Sequence, residues 1–147
     1  MAYAWKALAH EMALVPGGDV RLMSDAVIEG DEGYELAAYA NELVSVDSFY
    51  LDRDCITNAD FARFVQADGY GDVHWWPEET LPSVLQFVDR TGHPGPRFWS
   101  DGQPPQDRLD HPVVGICWYE ANAYASWIGK RLPSTEEWQR GGTWPKG

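Results

Sequence analysis

The stretch from His111 to Trp138, HPVVGICWYEANAYASWIGKRLPSTEEW, constrains this chain more than any other. Val113 and Val114 form a short apolar run that suits a buried strand. From Trp118 onward, Ala121, Tyr124, Ala125 and Ile128 fall at helical spacing and define one apolar stripe. Glu120 lies in the first turn of that helix, where a negative charge meets the positive end of the dipole. Gly129 follows the last stripe residue and suits the left-handed position after a helix. Lys130 and Arg131 come next, beside the negative end of the dipole. Pro133 blocks continuation. Ser134 and Glu137 then have the spacing of a capping box that opens a second helix. The segment predicts strand, helix, tight turn and helix, with Trp118, Trp127 and Trp138 to pack.

The rest of the chain is less regular. Ala2 to Met12 suits either a short helix, with Trp5, Leu8 and Met12 on one side, or a leader. Ala13 to Val15 reads as a strand ending at Pro16-Gly17-Gly18, and Val20 to Met23 as its hairpin partner. Asp25, Glu29, Asp31, Glu32 and Glu35 do not have the spacing of a calcium loop, so a solvated acidic loop is expected. Val44 to Leu51 reads as a strand. Thr57 is placed to cap a helix, with Asp60 three residues on and Phe61, Phe64 and Val65 on one face. Gly69 is expected to close that helix. Gly71 to Asp110 holds Trp75-Trp76-Pro77, a short helix over Leu81 to Val88, and the segment TGHPGPRFWSDGQPPQ. Long irregular segments are commonly functional or disordered. The aromatics Trp75, Trp76, Phe87, Phe98 and Trp99 favour packing here.

Three segments together resemble one family. HPVVGICWYEANAYASWIGKRLPSTEEW is similar to the HPV-V-SW-A-AY-W-GKRLPTEAEW signature of the formylglycine-generating enzyme, or sulfatase-modifying factor, family. MALVPGG (Met12–Gly18) resembles that family's opening strand and turn. VDSFYLDRDCITNADFARFVQADGY (Val46–Tyr70) resembles its VTN-x-x-F-x-x-F segment. Some members also carry a TG-x-PGPR-[FY]-W insert. The resemblance spans nearly the whole chain but only about the first half of the family domain. It implies an α+β, C-type-lectin-like fold with short antiparallel strands and two or three helices. The expected divisions are a leader over 1–11, first strands and helix over 12–70, a loop insert over 71–110 and the signature helices over 111–147. A truncated domain, or one completed by another chain, is expected from the abrupt end at Thr143–Gly147.

The family's activity oxidises a sulfatase cysteine to formylglycine with copper and oxygen. Its cysteine pair and calcium ligands belong to the C-terminal half, and no position here matches them. Copper and calcium are thus implied only for a complete family domain, and no cofactor is expected in this chain. Cys55 and Cys117 lie far apart and form neither a disulfide framework nor a zinc pattern. Cys117 stands where the family often has the serine of VSW. At a helix start it is the one catalytic candidate, since the dipole favours a thiolate; between Ile116 and Trp118 it also suits a packed, inert thiol.

His10, His74, His93 and His111 lack metal-ligand spacing. Asp101, Asp107 and Asp110 share a loop with His111 and are the candidate ligands for a hard cation. Lys130 and Arg131 could hold an anion or lock their turn. Trp75, Trp76 and Trp99 could form a recognition surface or pack in the core. The net charge of −12 argues against nucleic acid and anionic membranes as partners. With no membrane-span run or secretory leader in view, the expected location is cytoplasmic. These features lead to a non-catalytic or incomplete family module that binds a protein, a peptide or another ligand. The alternatives are the front half of an active copper oxidase, and a relative of the iron-dependent ergothioneine-type sulfoxide synthases, which calls for a histidine-bearing bundle in addition.

Overall fold

Pro16 has no amide hydrogen to give to a ladder, and Gly17 sits where a side chain could not. A Cβ on Gly17 would lie 2.9 Å from the Val46 carbonyl oxygen and 3.0 Å from the Ser48 amide nitrogen. These residues interrupt a long antiparallel ribbon without reversing it. The computed structural model describes residues 11–22, 27–30, 33–36 and 43–143, with backbone alone at 27–30 and 33–36.

The ribbon pairs β1 (Met12–Val15) with β6 (Phe49–Asp52) and β2 (Gly18–Arg21) with β5 (Leu43–Val46); β3 (Val27–Gly30) and β4 (Gly33–Leu36) pair in a two-stranded sheet of their own. Met12 faces Asp52 and Gly18 faces Val46, so six residues forward match six back and the register survives the break. This corrects two expectations. The strand before Pro16 does not fold back on Val20–Met23; its partner lies at Phe49–Asp52. The acidic stretch is not simply a loop, because Val27–Gly30 and Gly33–Leu36 form a ladder. The proposed leader falls outside the described residues apart from Glu11, and Met12 belongs to β1.

Two compact units result, Met1–Arg53 with Pro133–Gly147, and Asp54–Leu132. In the first, Val15, Val20 and Val46 are buried. Helix α4 (Thr135–Gly142) starts at the expected capping box. The Ser134 hydroxyl accepts from the Glu137 amide at 3.1 Å, and Glu137 accepts from the Ser134 amide at 2.9 Å. Arg140 then donates from Nε to the Pro16 carbonyl at 3.1 Å and from Nη2 to that of Gly17 at 3.2 Å. It partners carbonyls at the point where the ladder breaks.

In the second unit, Thr57 caps α1 (Asn58–Gln66) as expected. Its hydroxyl accepts from the Asp60 amide at 3.1 Å, and Asp60 accepts from the Thr57 amide at 3.2 Å. The helix end differs. Asp68, at φ 58°, takes the left-handed position expected of Gly69. Gly69 serves packing instead, since a Cβ there would collide with the Phe64 ring. Helix α2 is confined to Leu81–Val84, after a 3-10 turn at Glu78–Thr80. Pro77 and Pro82 restrict this segment, and between Leu85 and Cys117 the chain is mostly irregular.

Helix α3 (Trp118–Trp127) buries Glu120, Ala123, Tyr124 and Ala125, a face rotated from the expected stripe. Gly129 takes φ +75°, and the Lys130 amide closes the helix on the Ala125 carbonyl at 2.8 Å. Val113 and Val114 form no strand. Val113 donates one bond to the Ile56 carbonyl, and Val114 is exposed. Trp118 and Trp138 are also exposed, against the expectation that they pack.

The core of this unit is aromatic: Phe61 stacks on Tyr124 at 5.3 Å, and Phe64 meets Tyr124 edge-on at 5.9 Å. Such pairs contribute about 0.5–1.5 kcal/mol each beyond the area they bury. Helices and small antiparallel sheets together make the fold α+β. No helix among the described residues is long and apolar enough to cross a membrane.

Candidate functional site

Asp89 organises the irregular segment between α2 and α3. Its Oδ1 accepts from the Thr91 amide and hydroxyl, both at 2.8 Å, and from the His93 amide at 3.1 Å. Its Oδ2 accepts from the Gly102 amide at 2.7 Å. Burial alone would raise this carboxyl. The bonds from Gly102, Thr91 and His93 outweigh burial and hold it below the ordinary carboxylate range. One buried side chain thus fixes both ends of the loop that presents Arg97, Phe98 and Trp99.

Trp99 extends the frame. It is 2% exposed, and its Nε1 donates to Asn58 Oδ1 at 3.1 Å. Asn58 Nδ2 donates to the Arg108 carbonyl at 2.8 Å, and the Arg90 amide donates to the Trp99 carbonyl at 3.1 Å. Glu120 makes a second hub. Its Oε2 accepts from the Cys117 amide at 2.7 Å and its Oε1 from the Tyr70 hydroxyl at 2.7 Å. Burial first, then the charge and hydrogen bond of Glu120, push the Tyr70 hydroxyl far above its usual range, so it remains a donor.

Phe98 lines two clefts in this unit. One, of about 370 Å³, is also lined by Phe87, Arg97, Ile116, Cys117 and Glu120. The other, of about 600 Å³, is lined among others by Arg90, Trp99, Asp107, Arg108 and His111. Both volumes suit small ligands or a few residues of peptide.

The residues singled out from sequence are scattered around these clefts. Cys117 lines the first and is exposed, which corrects its reading as a packed thiol; Cys55 is also a free, exposed thiol. Trp76 and Trp99 are core residues, and half-buried Trp75 packs against that core. Of the three, only Trp99 lines either cleft, and these three form no exposed surface among the described residues. Lys130 and Arg131 line neither cleft; Arg131 donates to the Leu132 carbonyl at 3.2 Å. Asp107 reaches the second cleft, whereas Asp110 lies 3.9 Å from His111 Nε2.

Sequence reasoning missed Asp89, Asn58 and the Tyr70–Glu120 bond. A D-x-T-x-H spacing at Asp89 was the available signal, because aspartate often accepts from amides just ahead of it. Nothing local marks Glu120 as the partner of Tyr70.

The sulfatase-modifying factor enzyme 1-like domain matches residues 3–144. The chain belongs to that family. Among relatives of this sulfatase-modifying factor type, it is 32% identical over 145 residues to the hercynine oxygenase of Mycolicibacterium smegmatis, covering 93% of this chain and 32% of that protein. It is 32% identical over 162 residues to the formylglycine-generating enzyme of Thermomonospora curvata, covering 92% of this chain and 50% of that protein. The mouse formylglycine-generating enzyme is 32% identical over 120 residues, covering 67% of this chain and 32% of that enzyme. The chain therefore spans between about a third and a half of these relatives.

The family resemblance brings copper and calcium into question. Among the described residues, no three histidine, cysteine, aspartate or glutamate side chains are grouped to hold a metal ion. Asp101, Asp107 and Asp110 do not form such a group.

Proposed function

We propose that this chain is a recognition module of the sulfatase-modifying factor type, built on a C-type-lectin-like arrangement. It binds a protein or peptide ligand along the Phe98 clefts and does not carry out oxidation by itself. The observation behind this reading is the placement of Phe98. The ring is 46% exposed, lines both clefts and sits in a loop pinned by buried Asp89. An aromatic side chain offered from a preorganised backbone loses little entropy on binding. Shared fold alone does not confer a relative's chemistry.

A second reading is supported by the similarity to formylglycine-generating enzymes across most of the chain. In it, the same clefts position a cysteine-containing substrate for a copper-dependent oxidase, and the copper and calcium ligands lie outside the described residues. The match to hercynine oxygenase supports a sulfoxide-synthase relative on similar grounds.

One experiment tests these readings. A cysteine-containing sulfatase peptide is titrated into the chain with copper present, and oxygen uptake is followed. Binding without oxygen uptake is expected. Turnover by this chain contradicts the recognition-only reading, and absence of binding contradicts both the first and the second.

A further inference from the structure

The larger cleft carries two arginines in a chain of net charge −12. Neither Arg90 nor Arg108 pairs with a carboxylate among the described residues. Two arginines lining one cleft without a carboxylate partner in so acidic a protein need a physical account, because neighbouring like charges repel.

Their placement is built rather than incidental. The Arg90 amide donates to the Trp99 carbonyl at 3.1 Å, Trp99 Nε1 donates to Asn58 at 3.1 Å, and Asn58 donates to the Arg108 carbonyl at 2.8 Å. Trp99 and Asn58 are 2% and 5% exposed. A buried, fully paired relay therefore fixes the backbone of both arginines. The Arg90 guanidinium also lies 5.7 Å from the centroid of the Phe98 ring, which favours a cation over its face.

We infer that this cleft binds a small organic carboxylate bearing an aromatic or flat apolar ring. Guanidinium forks match a carboxylate with two parallel bonds, and the half-exposed Phe98 ring offers apolar surface for the ligand's ring. The volume of about 600 Å³ suits a small molecule. Charge favours a monoanion. Asp107 also lines the cleft, so two arginines against one aspartate leave one net positive charge at neutral histidine. A phosphate dianion would be left partly uncompensated and would face Asp107. This inference does not depend on the protein or peptide ligand, or on any oxidation.

The test uses phenylacetate, its uncharged analogue phenylacetamide, and inorganic phosphate. Each is titrated into the full chain by calorimetry and by amide-resolved NMR. Phenylacetate is expected to bind and to shift the amides of Arg90, Trp99 and Arg108, with affinity falling as salt rises. Phenylacetamide and phosphate are expected to bind about tenfold more weakly or worse. Arg90→Gln and Arg108→Gln should each weaken phenylacetate by about tenfold. Arg63→Gln, which removes the same charge from a residue lining neither cleft, should leave it unchanged. Overlay of each variant's amide spectrum on the wild type establishes that it is folded. The inference is overturned by no phenylacetate binding, by equal binding of the amide, by preference for phosphate, or by equal losses in all three variants.

Discussion

The Tyr70 hydroxyl donates to Glu120 Oε1 at 2.7 Å, joining the end of the α1 segment to the first turn of α3 across fifty positions of sequence. Glu120 is 4% exposed and uses its other oxygen on the Cys117 amide. One carboxylate therefore caps a helix and ties it to a neighbouring segment. Removing either donor leaves part of a buried charge without its partner.

Tyr70→Phe keeps the ring among Phe64 and Trp76 and deletes only the donor. Its cost is expected at about 1–3 kcal/mol, the range for an unsatisfied buried group. Urea unfolding midpoints check this. An unchanged midpoint would mean that Glu120 contributes through capping alone.

The same bond gives an alkaline signature. Burial, then the charge and hydrogen bond of Glu120, raise the Tyr70 hydroxyl in the folded state. The folded chain holds that proton more tightly than the unfolded chain does. Its stabilisation is complete below a pH of about 10, the ordinary tyrosine value, and drains away as pH climbs from there toward the higher folded value. The stability gap between wild type and Tyr70→Phe should therefore narrow above pH ~10. A gap that widened there would contradict the burial of this hydroxyl.

Asp89 shows the opposite sign. Its hydrogen bonds overcome the burial penalty and lower its carboxyl in the folded state. The stabilisation is present above a pH of about 3.9, the ordinary aspartate value, and is lost as pH falls below it toward the lowered folded value. Asp89→Asn turns one acceptor into a donor that opposes either the Gly102 amide or the Thr91 and His93 amides. A loss of about 1–3 kcal/mol is expected at neutral pH. The difference from wild type should shrink in acid. Unfolding curves across that range provide the check, and amide exchange at Gly102 should accelerate in the variant.

Two glycines should respond differently to alanine. Gly69→Ala drives a methyl group into the Phe64 ring and should cost about 1–3 kcal/mol by overpacking. Gly129→Ala meets no atom within 4 Å but must hold φ +75°. Its cost should be only the backbone term, about 1–2 kcal/mol. Trimming Phe64 to leucine in the same chain should relieve the first substitution and leave the second unchanged, which thermal unfolding of the double variants can measure.

Local chemistry was legible in the sequence. The caps at Thr57 and Ser134 and the stop at Gly129 depend on side chains within a turn of one another, so spacing alone identifies them. Pairing was not. Pro16-Gly17 reads as a reversal, yet the partner of β1 lies at Phe49–Asp52, and no local pattern reports contact across that distance. The face of α3 was misjudged for a related reason. Glu120 is polar, and only Tyr70, remote in sequence, makes its burial favourable. Trp75, Trp76 and Trp99 announced an aromatic segment but not which ring would stay outside. That ring is Phe98, in a loop held by Asp89 through backbone amides that every residue but proline possesses.

The most direct test of the recognition role is amide-resolved NMR of the chain titrated with a cysteine-containing sulfatase peptide. Shifts are expected to concentrate at Phe98, Ile116 and Cys117 in the unit spanning Asp54–Leu132, and to fade in a Phe98→Ala variant whose remaining spectrum is unchanged. Shifts confined to the β-ribbon, or binding untouched by the loss of the Phe98 ring, would contradict it.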